Sequence, residues 1–205
     1  MSAPLVKAPW PLARCAQAAV AAAVATDAYR AVTVRAHLLH PRDTSLSASG
    51  RASMVHVYVM TAAIVLFLVW FSRCRRNAVL LSPGTVRGSA AWAVAAWLIP
   101  VLNLWAPRGL VLDVQRASGP GTPEGRDRAL VNVWWATWVG HAVVVTVGTR
   151  VERGTSLAVL LVSIALNLAA GALAIAVVQR LTARQATALE ATLPVAGAVE
   201  LPRVS

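Results

Sequence analysis

The chain has 205 residues, of which 58% are hydrophobic and only 13% are charged. Soluble globular domains are about 25% charged, so this composition excludes an ordinary soluble domain and indicates a membrane protein. The net charge of +11 comes mainly from arginines that lie between apolar stretches, where such residues orient helices and contact lipid headgroups. Because no nucleic-acid-binding motif is present, we expect the lipid bilayer to be the partner, and no nucleic acid.

The first apolar region, residues 11–32, predicts a transmembrane helix with two charged residues near one end. Asp27 and Arg30 are three positions apart, so they share a helix face and can partly neutralise each other. A secretory signal peptide is the alternative interpretation of this region, but no small-residue cleavage site precedes Asp27. Residues 36–53 follow as a predicted linker.

The second uncharged stretch, residues 55–72, predicts a clean transmembrane helix, since about 20 such residues cross a bilayer. It ends beside Arg73, Arg75 and Arg76. Three arginines next to a membrane-spanning helix are typical of an orientation signal and of contacts with anionic lipid headgroups. A phosphate site is the more specific alternative for them. The turn-forming sequence Ser-Pro-Gly at 82–84 follows.

The third segment, residues 90–117, is interrupted by two prolines. Pro100 and Pro107 each remove a backbone donor and crowd the preceding turn, so a straight helix through them is excluded. We expect a helix up to residue 99, a break over 100–107, and a second, amphipathic helix to about residue 117. Such a segment either spans the membrane with a kink or enters and returns.

The last two apolar stretches, residues 130–147 and 156–178, predict two more transmembrane helices. Trp134 and Trp135 stand near the beginning of the first of them, a position typical of tryptophans that anchor a helix among lipid headgroups. The chain then continues as a short helix to about residue 191. We expect residues 192–205, which include Pro194 and many small residues, to form a flexible tail.

Together these elements predict an all-α integral membrane protein with one domain over residues 1–191. Its architecture is a bundle of four transmembrane helices plus the proline-broken segment, which is re-entrant or interfacial, or else a fifth span. If the broken segment returns to the side from which it came, the two sides carry 13 and 6 of the Lys and Arg residues. The positive-inside rule then places both termini in the cytoplasm, in a cell inner membrane.

One motif in the broken segment is specific enough to suggest a family. Residues 99–107 read Ile-Pro-Val-Leu-Asn-Leu-Trp-Ala-Pro. Arginines that follow Trp70 precede this run, and Arg-Ala-Ser at 116–118 follows it. In these features the chain resembles a family of bacterial multi-pass membrane proteins. That family is catalogued as domain of unknown function 4328. The resemblance extends over residues 66–179 and implies a membrane protein, without implying any activity or cofactor.

Polar residues inside the apolar stretches are the candidate functional site. They are Asp27, Arg30, Asn103, His141 and Asn167. Intramembrane polar residues suggest function, and a histidine can relay protons near neutral pH. The alternative is structural: Asn103 would cap the second half of the broken segment or satisfy the gap left by Pro107, while His141 and Asn167 would form hydrogen bonds that hold the helices together. Serine, asparagine and glycine recur every four residues at 163, 167 and 171, which indicates a close helix contact.

No sequence pattern for catalysis, metal binding or cofactor binding is present, so we expect no enzyme activity, no metal and no cofactor. The two cysteines form no Cys-x-x-C pair. The leading hypothesis is a non-enzymatic structural or partner-binding component, with a protein partner or a second copy of the chain. The alternative is a small transporter or channel with a polar site at the broken segment. An enzyme acting on lipids at the cytoplasmic face, using the arginines and Asp113, is a third hypothesis.

Overall fold

A computed structural model describes residues 7–119, 125–151 and 155–192. Within these ranges the chain is all-helical, as predicted, and no strand is present. Six α-helices and one 3-10 turn follow one another in the order α1 (Trp10–Leu39), α2 (Leu46–Leu81), α3 (Ala90–Leu98), the 3-10 turn (Leu102–Leu104), α4 (Ala106–Ala117), α5 (Gly125–Val151) and α6 (Leu157–Thr192).

The long helices extend beyond the apolar stretches that predicted them. The linker predicted over residues 36–53 is wrong at both ends, because α1 runs to Leu39 and α2 begins at Leu46. Likewise, the helix predicted after residue 178 is not separate, since α6 is continuous to Thr192. Apolar composition marks the part of a helix that suits lipid, whereas backbone hydrogen bonding continues the helix into water. The predicted tail lies outside the described residues, apart from Thr192, which ends α6.

Three of the helices, α2, α5 and α6, are long and apolar enough to cross a membrane. The mean hydropathy of their best 18-residue windows is 2.2, 1.4 and 2.4. Large apolar side chains stand exposed along their outer faces, for example Val57, Val143 and Leu161. A contiguous apolar surface of this kind suits lipid rather than water. Helix α1 is not among the three, because it carries four charged side chains.

Helix α1 packs between α2 and α6, and α5 packs along the other side of α6. Small residues permit the close approach: the buried face of α1 is mainly alanine, and Gly171 of α6 faces Val24 of α1. The close helix contact predicted from the four-residue spacing is present there. Helices α2 and α5 instead approach through long side chains, the rings of Phe67 and Trp134 having centroids 6.3 Å apart. This separation leaves space inside the bundle.

The proline-broken segment forms two helices joined by a tight turn, as the sequence predicts. Helix α3 ends at Leu98, immediately before Ile99 and Pro100. Pro107, in contrast, lies in the first turn of α4 rather than in the break. Proline is tolerated there, because the backbone N–H that it lacks has no partner within the helix. We call residues 90–117 the hairpin.

Both ends of the hairpin lie at the same level of the bundle. Before α3, the Arg75 guanidinium donates to the carbonyls of Arg87, at 3.0 Å, and of Gly88. After α4, Gln185 of α6 donates to the Ser118 hydroxyl at 2.9 Å and to the carbonyl of Cys74, the neighbour of Arg75, at 2.7 Å. The hairpin therefore enters and leaves the bundle at one end, which we call the basic end because most of the described arginines lie there.

The turn of the hairpin lies deeper in the bundle than its two ends. Trp97 of α3 packs its ring against Phe67 of α2, with centroids 4.9 Å apart. Phe67 precedes Cys74 by seven residues, which corresponds to about 10 Å along a helix. Beyond α3, the carbonyl of Leu104 accepts a 3.0 Å hydrogen bond from the indole of Trp135 in α5. The hairpin thus covers one end of the space between α2 and α5.

Candidate functional site

Asp27 is the centre of a buried polar cluster in the middle of the bundle. Its Oδ1 lies 2.6 Å from Nη2 of Arg30, one turn further along α1, as the three-residue spacing predicted. Its Oδ2 accepts a 3.0 Å hydrogen bond from the amide of Asn167 in α6. The same amide also lies 3.4 Å from the carbonyl of Val24. Because a buried charge is costly unless it is paired and hydrogen-bonded, these contacts explain how the carboxylate is accommodated.

Two histidines from different helices face the same carboxylate. Nε2 of His141 in α5 lies 3.7 Å from Asp27 Oδ2, and Nε2 of His56 in α2 lies 3.6 Å from Oδ1. On the other side of its ring, His141 Nδ1 lies 2.9 Å from the carbonyl oxygen of Ser163. Four helices therefore contribute to the cluster, which contains four of the five residues predicted as the polar site.

Sequence reasoning missed His56. The available signal was a histidine inside an otherwise apolar stretch, at the second position of the predicted helix 55–72. A histidine at the end of a predicted span is easily assigned to the membrane surface. In the structure, α2 begins nine residues before the predicted span, at Leu46, so His56 lies well inside the helix and opposite Asp27.

A cavity of about 410 Å³ extends from the polar cluster into the bundle. Helices α1, α2, α3, α5 and α6 all line it, and so does Asn103, the fifth predicted residue, from the hairpin turn. One end, the polar end, carries Asp27, Arg30, His56, His141 and Asn167; the other, the aromatic end, carries Phe67, Trp97, Trp134, Trp135 and Trp138. His56 and Phe67 are eleven residues apart in α2, so the cavity is about 16 Å long.

The aromatic end is a continuous set of ring contacts. Trp97 lies between Phe67 and the α5 tryptophans, and Trp135 stacks on Trp138 with centroids 5.0 Å apart. The prediction that Trp134 and Trp135 contact lipid headgroups is wrong, because both are buried beneath the hairpin. Trp70 is also fully buried, and its indole donates to the Thr182 hydroxyl at 3.0 Å. Contacts between rings at these distances stabilise the closed end of the cavity.

Two polar atoms among the cavity-lining residues have no hydrogen-bond partner within the described part of the chain. They are the indole nitrogen of Trp97, a donor, and Oδ1 of Asn103, an acceptor. The interpretation of Asn103 as a helix cap is wrong, because no side chain caps α4 and its N-cap residue is Trp105. A buried polar group without a partner costs about 1–3 kcal/mol.

The arginines predicted to contact headgroups differ in their surroundings. Arg75 is buried and joins α2 to the segment before α3, so its assignment to lipid headgroups is wrong. Arg76 is exposed and Arg73 half-exposed, so both remain predicted headgroup contacts. A separate cavity of about 200 Å³ at the basic end is lined by Arg108, Arg116 and Arg128 together with Leu112. It lies away from the polar cluster.

Within residues 7–119, 125–151 and 155–192, no group of three or more His, Cys, Asp or Glu side chains is arranged to hold a metal ion. At the polar end, Arg30 is paired with the one carboxylate that faces the histidines. What the arrangement offers is a set of hydrogen-bonding groups at one end of an apolar, aromatic-walled space.

These features define a helical membrane protein. They are three helices apolar enough to cross a membrane, exposed apolar faces, and polar groups gathered inside the bundle. A family model described as a domain of unknown function, DUF4328, matches residues 35–184. The chain therefore belongs to this family, as the motif around Pro100 and Pro107 suggested. No curated protein and no solved structure matches the chain.

Proposed function

We propose that this chain is a non-enzymatic, multi-pass membrane protein that binds a small amphipathic molecule inside its helical bundle. The observation that carries the proposal is the cavity of about 410 Å³, polar at one end and aromatic at the other. Its volume falls within the range of small-molecule sites, which combine apolar walls with a few convergent polar groups. The lack of any catalytic motif in the sequence supports a binding role rather than an enzymatic one.

The topology that we propose has four crossings, made by α1, α2, α5 and α6, and a re-entrant hairpin. Support comes from the hydrogen bonds of Arg75 and Gln185, which bring both ends of the hairpin to one level. With Arg30 left out because it lies inside the bundle, 13 Lys and Arg residues on one side stand against 5 on the other. This imbalance favours a cytoplasmic basic end, with both termini there, in the inner membrane.

A ligand dissolved in the bilayer would enter between α2 and α5. These two helices line the cavity from opposite sides without close backbone packing, whereas α1 contacts both α2 and α6, and α5 contacts α6. A lateral entry from lipid suits a molecule with an apolar body.

The experiment fills the cavity and asks whether bound molecules are lost. Ala63 is buried on the cavity wall, so Ala63→Phe places a ring inside the space, while Ala62→Phe places the same ring on the exposed face of α2. Native mass spectrometry of protein extracted from membranes should show a small molecule retained by the wild type and by Ala62→Phe. The Ala63→Phe protein should retain much less of it. Equal retention by both variants contradicts a ligand in this cavity.

Two other outcomes would redirect the proposal. If no small molecule is retained and the chain is recovered in a stable complex with itself or another protein, the structural or partner-binding role is favoured instead. If the retained molecule crosses the membrane of reconstituted liposomes faster than in empty liposomes, the function is transport. In that case Ala63→Phe should abolish the flux and Ala62→Phe should leave it unchanged.

A further inference from the structure

The hydrogen-bond partners of the two histidines determine which chemical groups the polar end offers to a ligand. In a neutral imidazole one ring nitrogen donates and the other accepts. The Ser163 carbonyl, 2.9 Å from His141 Nδ1, can only accept, so the proton of the neutral ring lies on Nδ1. Nε2 of His141 is therefore a lone-pair acceptor, and it faces Asp27.

His56 is held in the same tautomer by a hydroxyl group. Its Nδ1 lies 3.3 Å from Oγ1 of Thr26. The Thr26 hydroxyl has one proton, and we assign it to the helix backbone because the carbonyls of Ala22, at 2.9 Å, and of Ala23, at 3.1 Å, are closer to Oγ1 than His56 is. Oγ1 therefore accepts from His56 Nδ1, and Nε2 of His56 also presents a lone pair toward Asp27.

The point between Asp27 and the two histidines is consequently lined by acceptors. The two Nε2 lone pairs lie 3.6 and 3.7 Å from the Asp27 carboxylate oxygens, and these distances are longer than a hydrogen bond. Both the lone pairs and the carboxylate are negative, so they repel one another. Arg30 directs two of its five N–H groups to Oδ1 of this carboxylate, and Asn167 donates to Oδ2. Charged or titratable groups reach this point from α1 (Asp27, Arg30), α2 (His56) and α5 (His141), whereas α6 contributes the neutral Asn167.

We propose that the ligand is an amphipathic amine, bound as its ammonium ion. The ammonium would donate to the two histidine Nε2 atoms and to Asp27, and its apolar body would lie along the aromatic end. Tryptophan faces attract cations, so Trp138, one turn from His141, favours the same charge. An anionic headgroup would meet the same acceptors without offering them a proton. This inference rests on the proposed binding function and specifies its ligand class.

The inference also gives a pH dependence. Protons and the ammonium compete for the same lone pairs, so protonating either histidine removes an acceptor and adds a positive charge beside the ligand. Amine binding should therefore be weaker at a pH low enough to protonate the histidines than at a pH at which both are neutral. A carboxylate ligand would show the opposite dependence.

The test compares three probes with the same phenylethyl body on the full chain in lipid nanodiscs: phenylethylamine, its N,N,N-trimethyl derivative and 3-phenylpropanoate. Calorimetry should show binding of the amine. The trimethyl cation, which keeps the charge but has no N–H donor, should bind about tenfold or more weakly. 3-Phenylpropanoate should bind least. Equal affinity for amine and trimethyl cation, preference for the carboxylate, or no binding of the amine overturns the inference.

Two histidine variants test whether the amine binds at the polar end. His56→Phe and His141→Phe should each weaken amine binding about tenfold or more, because each removes one acceptor. His37→Phe is the matched control, since His37 contacts Thr44 outside the cavity. Amine binding unchanged in both cavity variants also overturns the inference. A retained molecule that Ala63→Phe releases, but that is not an amine, would overturn only the ligand class and leave the proposed function standing.

Discussion

The contact between α1 and α6 at Gly171 gives a stability prediction that the structure makes quantitative. A Cβ atom added at Gly171 would lie 2.5 Å from Cγ2 of Val24. Valine has essentially one side-chain rotamer in a helix, so this methyl group cannot swing away. Overpacking of this kind costs about 1–3 kcal/mol. The helix itself favours alanine over glycine by about 0.5–1 kcal/mol. Gly171→Ala should therefore lower the free energy of unfolding by about 1 kcal/mol, since the difference of the two effects ranges from about 0 to 2.5 kcal/mol.

Gly140 provides the matched control in the interior of α5. A Cβ atom there would lie 3.8 Å from Leu166 Cδ1, which is an ordinary contact. Gly140→Ala should therefore gain stability from the helix preference for alanine without any cost in packing. The two variants should differ by about 2 kcal/mol when unfolding is followed by circular dichroism in mixed detergent micelles. Adding Val24→Ala to Gly171→Ala should recover part of the loss, which a double-mutant cycle would measure. If Gly171→Ala is as stable as Gly140→Ala, the close packing of α1 on α6 is refuted.

Two further predictions concern the hairpin. Gln185→Leu removes the hydrogen bonds that join α6 to Ser118, at the end of the hairpin, and to the Cys74 carbonyl of α2, and should cost about 1–3 kcal/mol in the same unfolding assay. Thr187→Leu on the exposed face should change stability by about 0.5 kcal/mol or less, and equal effects would contradict the role of Gln185. For topology, single cysteines at Ser45, Thr85 and Arg126, in an otherwise cysteine-free chain, should be labelled by an impermeant thiol reagent in intact cells only at Ser45. Opposite behaviour at Thr85 and Arg126 would make the hairpin a fifth span.

Hydropathy limits how much of the site can be predicted from the sequence. An uncharged stretch gives the position of a residue along a helix, so Asp27, His141 and Asn167 could be recognised as intramembrane polar residues. It does not give the rotation of one helix about its axis relative to the others. Whether the histidine of α2 faces lipid, water or Asp27 depends on that rotation, and His56 was therefore missed. The spacing of Asp27 and Arg30 was informative because both lie on one helix.

The buried tryptophans illustrate a second limit. Trp134 and Trp135 stand near the end of an apolar stretch, which is where interfacial anchors occur. Their burial depends on the hairpin, which folds against α5 and accepts a hydrogen bond from Trp135 at Leu104. The proline break could be predicted from Pro100, because a missing backbone donor is a local property. Where the two halves of the broken segment pack is a tertiary property, and no local pattern in this chain determines it.

The charges of α1 indicate why this helix belongs to the bundle although its composition alone does not qualify it as a span. Each of its four charged side chains bonds to protein: Arg14 to Gln179 of α6, Asp27 and Arg30 to each other, and Arg35 to the carbonyl of Thr155. A charged residue at the centre of an isolated membrane helix costs about 2.5–3.5 kcal/mol on insertion scales. Replacing a buried ion pair with apolar residues is often neutral or stabilising. Stability of the fold alone therefore does not account for Asp27 and Arg30 in the middle of the bundle, whereas the ligand that we propose at the adjacent end of the cavity would.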